Sequence, residues 1–205
     1  MNDAIVKRPY RSPLRVAQAE ATRQRILESA VALFATQGYD ATTMDDIAES
    51  ADVSRATVFN FFPRKSDLVL AWFVDRRTEL ASHLAEREHD GTQTSSRLVR
   101  AFSLIARMFE HDPRTGRGMV RAWLQAGGPL LSPSSETSSM FADAIHAGQQ
   151  RGDVDLRIDA DRAGLVLFDA YLGVLYRWAS REDEQASFEA DLVATLSVLL
   201  VGISP

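Results

Sequence analysis

The chain has 205 residues, 45% hydrophobic and 25% charged, which is the balance of a globular protein with a sizeable core. It contains no cysteine, and this excludes disulfides, a thiol nucleophile and Cys-ligated zinc. The formal net charge is −5, but residues 1–25 carry six basic against two acidic side chains, which favours a DNA-binding head on an acidic body.

The N-terminal sequence lacks the apolar segment of a signal peptide. The most apolar stretch, residues 165–176, is interrupted by Asp169 and falls short of the ~18 apolar residues that suggest a membrane span. We therefore expect a soluble, cytoplasmic protein without a membrane partner. The histidines are not spaced as a helical metal pair, and neither a nucleophile motif nor a phosphate-binding glycine loop occurs. We accordingly expect no enzymatic activity and no cofactor.

The N-terminal part divides into an arm and a helical head. Residues 1–18 combine two prolines with scattered basic side chains, which predicts a flexible basic arm. We expect its basic side chains to contact DNA with little sequence preference, in a minor groove or non-specifically; the alternative is that they are simply solvated. Residues 19–66 are expected to form a helix-turn-helix domain that opens with an amphipathic helix ended by Gly38. The apolar stripe of this first helix consists of Ile26, Ala30, Leu33 and Phe34.

Two short capped helices follow in the head. Thr43 is placed to cap the first of them, with Asp46 near its positive end. Asp52 and Val53 are expected to form a tight turn. Ser54 caps the second short helix, which ends before Pro63.

The remaining residues, 67–205, are expected to form a helical body for ligand binding and dimerisation. A long helix is predicted over residues 66–88 and links this body to the head. Residues 67–88 of this helix are counted as part of the body. Further helices are predicted at roughly 96–110, 114–126, 134–151, 159–180 and 184–203. Because apolar residues rarely alternate with a period of two, the predicted fold class is all-α.

Two short helices joined by a tight turn and followed by a long helix form a helix-turn-helix pattern. On the second short helix one face carries side chains suited to base edges, namely Arg55, Ala56, Phe59 and Asn60. Arg64, Lys65 and Thr43 are placed at helix ends, where they can reach phosphates. The pattern alone leaves open that this is the solvated face of an ordinary helical bundle.

The stretch from residue 26 to 71 resembles the N-terminal domain of the tetracycline-repressor (TetR) family. The matching pieces are the apolar helix ending in GY, then TTMDDIA, VSRATVFNFF and KSDL. The resemblance implies a three-helix DNA-binding head with residues 54–62 as the recognition helix. It also implies DNA contacts by Thr43, Arg55, Thr57, Asn60 and Lys65; with Ser54, Ala56 and Phe59 these complete the predicted DNA-binding set.

Three positions depart from the family pattern. The family often has glycine in the turn where Asp52 stands, and aspartate tolerates the left-handed backbone conformation better than most residues. Residues 59 and 61 are often tyrosine or histidine in the family, but both are phenylalanine here. The polar DNA contacts of those residues are therefore not expected. We expect Phe59 to contact a sugar or a thymine methyl group, and Phe61 to belong to the core.

The predicted helix over 159–180 is apolar on nearly every side, and the last helix is similarly broad. Helices without a polar face must be covered on both sides. We therefore expect a homodimer whose two C-terminal helices form an intermolecular four-helix bundle. The resemblance implies the same assembly, with double-stranded operator DNA as the partner.

The resemblance further implies a small-molecule inducer between the helices of the body. The candidate ligand-binding residues are Phe102, Ile105, Phe109, Trp123, Met140, Phe141, Phe168, Asp169 and Tyr171. Their composition predicts a largely apolar inducer, with polar contacts from Asp169, Asp143 or His146. For each apolar candidate, simple core packing is the competing interpretation. Asp169 shares a helix face with Arg162 and Tyr176, so an ion pair or a dimer contact competes with a cationic ligand.

The predicted function is a sequence-specific transcriptional regulator, a repressor that an inducer releases from its operator. The alternatives are an activator of the same fold and a DNA-binding protein without a ligand. The sequence does not separate a repressor from an activator, because that depends on where the operator lies.

Overall fold

The computed structural model describes residues 13–85, 93–128, 136–181 and 186–201, which form nine helices. These are α1 (Pro13–Thr36), α2 (Met44–Ser50), α3 (Arg55–Phe61), α4 (Lys65–Ala85), α5 (Thr94–Glu110), α6 (Pro113–Gln125), α7 (Glu136–Arg151), α8 (Ala160–Ser180) and α9 (Phe188–Val201). None of the described residues lies in a strand, in agreement with the predicted all-α class. Among the described helices, none is long and apolar enough to cross a membrane.

The first helix begins earlier than the sequence predicted. Residues 13–18 belong to α1 and not to a flexible arm. The physical reason is that Pro13 suits a first helical position, where its missing N–H would have no intrahelical partner. Residues 1–12, the rest of the predicted arm, lie outside the described residues.

The head consists of α1, α2 and α3 and the start of α4, packed around one small core. Ile26 of α1, Ile47 of α2 and Val58 of α3 are each fully buried. Leu68 of α4 completes this core, so α4 is attached to the head at its first turns. Gly38 has a positive φ of 90° just after α1, as its predicted capping role requires.

The body surrounds α5, which contacts helices on several sides. The ring of Phe102 lies 4.5 Å from that of Phe141 on α7 and 6.3 Å from that of Tyr171 on α8. The ring of Phe109, also on α5, lies 5.5 Å from that of Trp72 on α4. Through this last contact the long helix α4 joins the head core to the body core.

The head and the body also meet directly where α1 crosses α6. A Cβ atom on Gly118 of α6 would lie 2.8 Å from the Cα atom of Ala35 on α1. Because that distance is too short for any side chain, glycine permits this close crossing. Nearby, the side-chain amide of Gln125 donates to the Asp40 carboxylate at 3.0 Å.

Candidate nucleic-acid interface and ligand-binding body

The start of α2 is fixed by a reciprocal pair of hydrogen bonds. The Thr43 hydroxyl accepts from the Asp46 backbone N–H at 3.1 Å, and the Thr43 backbone N–H donates to the Asp46 carboxylate at 2.8 Å. Hydrogen bonding from the Thr43 backbone holds the pKa of Asp46 below its ordinary value. This capping box fixes the position of Thr43, which stays exposed at the start of the helix.

The turn between α2 and α3 orients the second short helix. Asp52 has a positive φ of 52°, the left-handed conformation that the sequence predicted for it. The Ser54 hydroxyl then accepts from the Thr57 backbone N–H at 3.1 Å, and the two hydroxyl oxygens lie 2.8 Å apart. Ser54 and Thr57 therefore hold the start of α3, and direct DNA contact by them stays a prediction.

One face of α3 is open to solvent. Its four side chains are exposed: Arg55, Ala56, Phe59 and Asn60. Val58 on the other side is fully buried, so the helix is held by its inner face alone. A helix presented in this way can enter a major groove.

Arg55 has two partners in the absence of DNA. Its guanidinium pairs with the Asp45 carboxylate of α2 at 3.2 Å, and both side chains are mostly exposed. The guanidinium also lies 5.4 Å from the centre of the Phe59 ring. These contacts hold the Arg55 side chain along the exposed face of α3. The ion pair with Asp45 was not predicted from the sequence.

The two phenylalanines that depart from the family pattern differ in burial. Phe59 is 38% exposed and belongs to the open face. Phe61 is partly buried and packs against the core, in agreement with its expected role. Phe62, next to it, is buried and lies 5.4 Å from the guanidinium of Arg23 on α1.

Lys65 begins α4 and connects it to the loop between α1 and α2. Its ammonium group donates to the backbone carbonyl of Tyr39 at 2.6 Å and to that of Thr42 at 2.9 Å. The same group lies 4.1 Å from the centre of the Tyr39 ring. The sequence does not reveal this internal role of Lys65, because the role depends on carbonyls more than 20 residues earlier in the chain.

The buried ligand-binding candidates lie in two neighbouring aromatic groups. The first group contains Phe102, Phe141, Phe168 and Tyr171. The second contains Phe109, whose ring lies 6.0 Å from that of Phe73, and Trp123, 5.8 Å from the same ring. Ile105 is buried and Met140 is partly buried. Burial raises the pKa of the Tyr171 phenol, which is therefore neutral at physiological pH.

Trp123 differs from the other candidates in its polar atom. The residue is 3% exposed, and its indole N–H is buried with no hydrogen-bond partner among the described residues. A buried donor without an acceptor costs about 1–3 kcal/mol. The indole N–H is therefore a donor that an acceptor group of a ligand would satisfy.

The polar candidates are not brought together with the aromatic groups. Asp169 is exposed on the outer face of α8, together with Arg162 and Tyr176, as their spacing predicted. Asp143 and His146 are exposed on α7, and His146 lies 3.8 Å from the Asp161 carboxylate. The sequence showed that Asp169 interrupts an apolar helix, but not that its side of the helix faces outward. Across the described segments, no group of His, Asp or Glu is arranged to hold a metal.

A small head that presents an exposed, capped second helix, joined by a long helix to an α-helical body, defines a helix-turn-helix DNA-binding protein. Comparison with known proteins makes this class specific. Residues 26–72 match the sequence profile described as bacterial regulatory proteins, tetR family.

Named relatives and a solved structure extend the likeness over most of the chain. The repressor KstR of Rhodococcus jostii is 26% identical over 178 residues, which cover 87% of this chain and 82% of KstR. The regulator TtgR of Pseudomonas putida is 29% identical over 177 residues, 78% of this chain and 81% of TtgR. FadR of Thermus thermophilus, a TetR-family repressor solved with lauroyl-CoA, superimposes with a TM-score of 0.64 at 25% identity, covering 88% of this chain and 94% of FadR. The profile match, the named repressors and the solved structure together support a TetR-family transcriptional regulator.

Proposed function

We propose that this regulator is a cytoplasmic repressor that binds operator DNA as a homodimer, is released by a small molecule, and has no enzymatic activity. The observation that carries the proposal is the exposed face of α3, where Arg55 and Asn60 lie on a helix capped at its start and buried on its inner side. Arginine pairs with guanine and asparagine with adenine in the major groove. Support for repression comes from KstR and FadR, which are named repressors.

The first experiment lets the purified protein select DNA from a random pool. We expect a two-fold symmetric site whose half-sites lie about 34–36 Å apart, one helical turn, or a multiple of that spacing. A reporter gene placed behind the selected site should then be less active when the protein is present. Failure to enrich any sequence would contradict operator binding, and increased reporter activity would indicate an activator.

We infer the homodimer from apolar side chains on α8 and α9 that are exposed to solvent in the single chain. Val166 and Tyr176 of α8 are 43% and 53% exposed, and Val198 of α9 is 74% exposed. Burial of such side chains against a second copy would remove them from water and match the two-fold symmetry of a palindromic site.

Assembly is tested by placing charge on this outer surface. Val198→Glu should produce a folded monomer in sedimentation, whereas the wild type should sediment as a dimer at micromolar concentration. Val174 and Leu196 are unsuitable probes, because both are fully buried within one chain and a charge there would unfold it. A folded wild-type monomer would overturn the homodimer.

The inducer site is proposed among the aromatic groups of α5, α6, α7 and α8. The unpartnered indole N–H of Trp123 supports an apolar ligand that also carries a hydrogen-bond acceptor. FadR provides support by analogy, since its structure contains lauroyl-CoA. The ligand must bind the conformation that cannot bind DNA more tightly than the conformation that can. A ligand with equal affinity for both conformations would not change their populations.

A thermal-shift screen of apolar compounds, with and without an acceptor group, tests this site. Each hit should release the selected operator, and Trp123→Phe should weaken the hits that carry an acceptor while sparing those without one. Hits that stabilise the protein but leave operator affinity unchanged would contradict induction by those compounds.

A further inference from the structure

A cleft lies between the head and the body, where α1 and the turn after it face α6. Its volume is about 790 Å³. One wall is formed by residues 34–39, which end α1 and begin the following turn, and the other by residues of α6. None of the predicted DNA-binding or ligand-binding residues lines it.

The side chains that line this cleft are strongly basic. Arg114, Arg117 and Arg121 lie on one face of α6, at spacings of three and four residues, and Arg181 follows α8. Among the described residues that line the cleft, Asp112 is the acidic one. Four arginines against one aspartate in this described lining contrast with the formal net charge of −5 of the chain.

Two of these arginines already have fixed roles inside the protein. Arg117 is buried, donates to the backbone carbonyl of Arg181 at 2.7 Å and lies 4.9 Å from the centre of the Trp178 ring. Arg181 pairs with the Asp191 carboxylate at 2.7 Å. Their positive charge contributes to the potential in the cleft while their contacts hold its walls.

The other two arginines retain free donors. The Nε atom of Arg121 donates to the Ala179 carbonyl at 3.0 Å, which positions the guanidinium, and its terminal nitrogens have no partner among the described residues. Arg114 is exposed, and its guanidinium has no hydrogen-bond partner and no ion pair within 4.0 Å in the described part of the chain. Asp112 caps α6 by accepting from the Thr115 backbone N–H at 3.3 Å, and hydrogen bonding from Thr115 together with the nearby charge of Arg114 lowers the pKa of Asp112.

We propose that this cleft binds a small anionic molecule carrying phosphate or carboxylate groups, held by the guanidinium groups of Arg114 and Arg121. Guanidinium groups bind both kinds of oxygen in a bidentate manner. The cleft volume lies in the range of about 300–1,000 Å³ that is usual for small-molecule sites, so it accepts more than a bare ion. Since its walls come from the head and the body, a bound anion would contact both. The site is independent of the proposed inducer site.

The test is a calorimetric titration of the full chain with tripolyphosphate and, separately, with citrate, without DNA and at about 150 mM salt. We expect one or both probes to bind, and the double variant Arg114→Ala/Arg121→Ala to lose about tenfold or more in affinity. Binding of tripolyphosphate would identify phosphate as the anionic group that the cleft holds, and binding of citrate would identify carboxylate. Arg157→Ala is the matched control, because Arg157 is highly exposed in the loop before α8 and does not line the cleft.

Binding of neither probe would overturn the site. Equal affinity of the double variant and the wild type would also overturn it, and so would an equal loss in Arg157→Ala. Should the double variant fail to fold, Arg114→Glu alone changes an exposed residue and should weaken the same probe. Because the titration contains no DNA, its failure is separate from a failure of operator selection.

Discussion

The head and the body of this regulator differ in how far apart in the chain their decisive contacts lie. In the head, Thr43 and Asp46 cap α2 and Ser54 caps α3, in each case within three residues. In the body, Phe102 contacts Tyr171, and Phe109 lies 6.0 Å from Phe188. A DNA-binding surface on a short exposed helix is therefore visible in a short sequence motif, whereas the ligand site proposed for the body would combine residues that are far apart in the chain.

The difference between the head and the body is clearest when an exposed aromatic residue of the head is compared with a buried aromatic residue of the body. Phe59 lies on the open face of α3, while Phe102 is fully buried at the centre of the body. The same substitution at the two positions should therefore affect different properties of the protein.

The largest effect is expected for Phe102→Ala, which should lower the free energy of unfolding by about 3–5 kcal/mol because it leaves a cavity among packed rings. Phe59→Ala should change that free energy by about 0.5 kcal/mol or less, yet weaken binding to the selected operator. Urea unfolding at matched protein concentration and an operator titration measure the two properties. A small stability loss in Phe102→Ala would show that the body is loosely packed there.

Arg55→Ala is expected to have the next largest effect, on recognition rather than folding. It should cost about 1–3 kcal/mol of binding free energy on the selected operator and little on random DNA, because a bidentate guanine contact discriminates between bases. Competition titrations with operator and scrambled duplexes measure the difference. Equal weakening on both duplexes would make Arg55 a phosphate contact.

The sequence predicted the head well because its structure depends on neighbouring residues. The capping role of Thr43, the left-handed turn at Asp52 and the exposed face around Arg55 all follow from local chemistry. The start of α1 was placed too late, since Pro13 looked like part of an arm and is in fact the first helical residue.

The sequence could not place contacts that join distant segments. The binding of Lys65 to the Tyr39 and Thr42 carbonyls depends on how α4 returns to the loop after α1. The outward direction of Asp169 depends on which side of α8 packs against α7. The basic cleft needs α6 to lie beside the end of α1, and the spacing of Arg114 and Arg121 shows only that they share a face.

A smaller effect is expected at the cap of α2. Thr43→Ala should lower the free energy of unfolding by about 1 kcal/mol, since it leaves the Asp46 backbone N–H without its acceptor. Thr78→Ala is the matched control: its hydroxyl is exposed on α4 and bonds only to the Val74 carbonyl of the same helix. An equal change in both variants would show that the cap contributes nothing specific.

The same cap should respond to acid. The pKa of Asp46 is lowered in the folded chain, so its contribution to stability is present above its unfolded value and is lost as the pH falls through the folded value. Asp46→Asn should therefore be less stable than the wild type at neutral pH, with the difference shrinking under acid conditions. Urea unfolding at a series of pH values measures this, and a difference that grows toward low pH would contradict it.

The smallest effect is expected at Lys65, whose ammonium group has three N–H donors and uses two of them inside the head. If the third reaches a phosphate, Lys65→Met should reduce the slope of log affinity against log salt concentration by about one unit, equally for operator and random DNA. Arg157→Met is the comparison, because Arg157 is exposed in the loop before α8, outside the head, and is paired with Asp155 at 2.5 Å. If Lys65→Met loses stability but the slope of log affinity against log salt concentration is unchanged, Lys65 makes only its contacts within the head and none to phosphate. A changed base preference without a changed slope would make the phosphate assignment wrong.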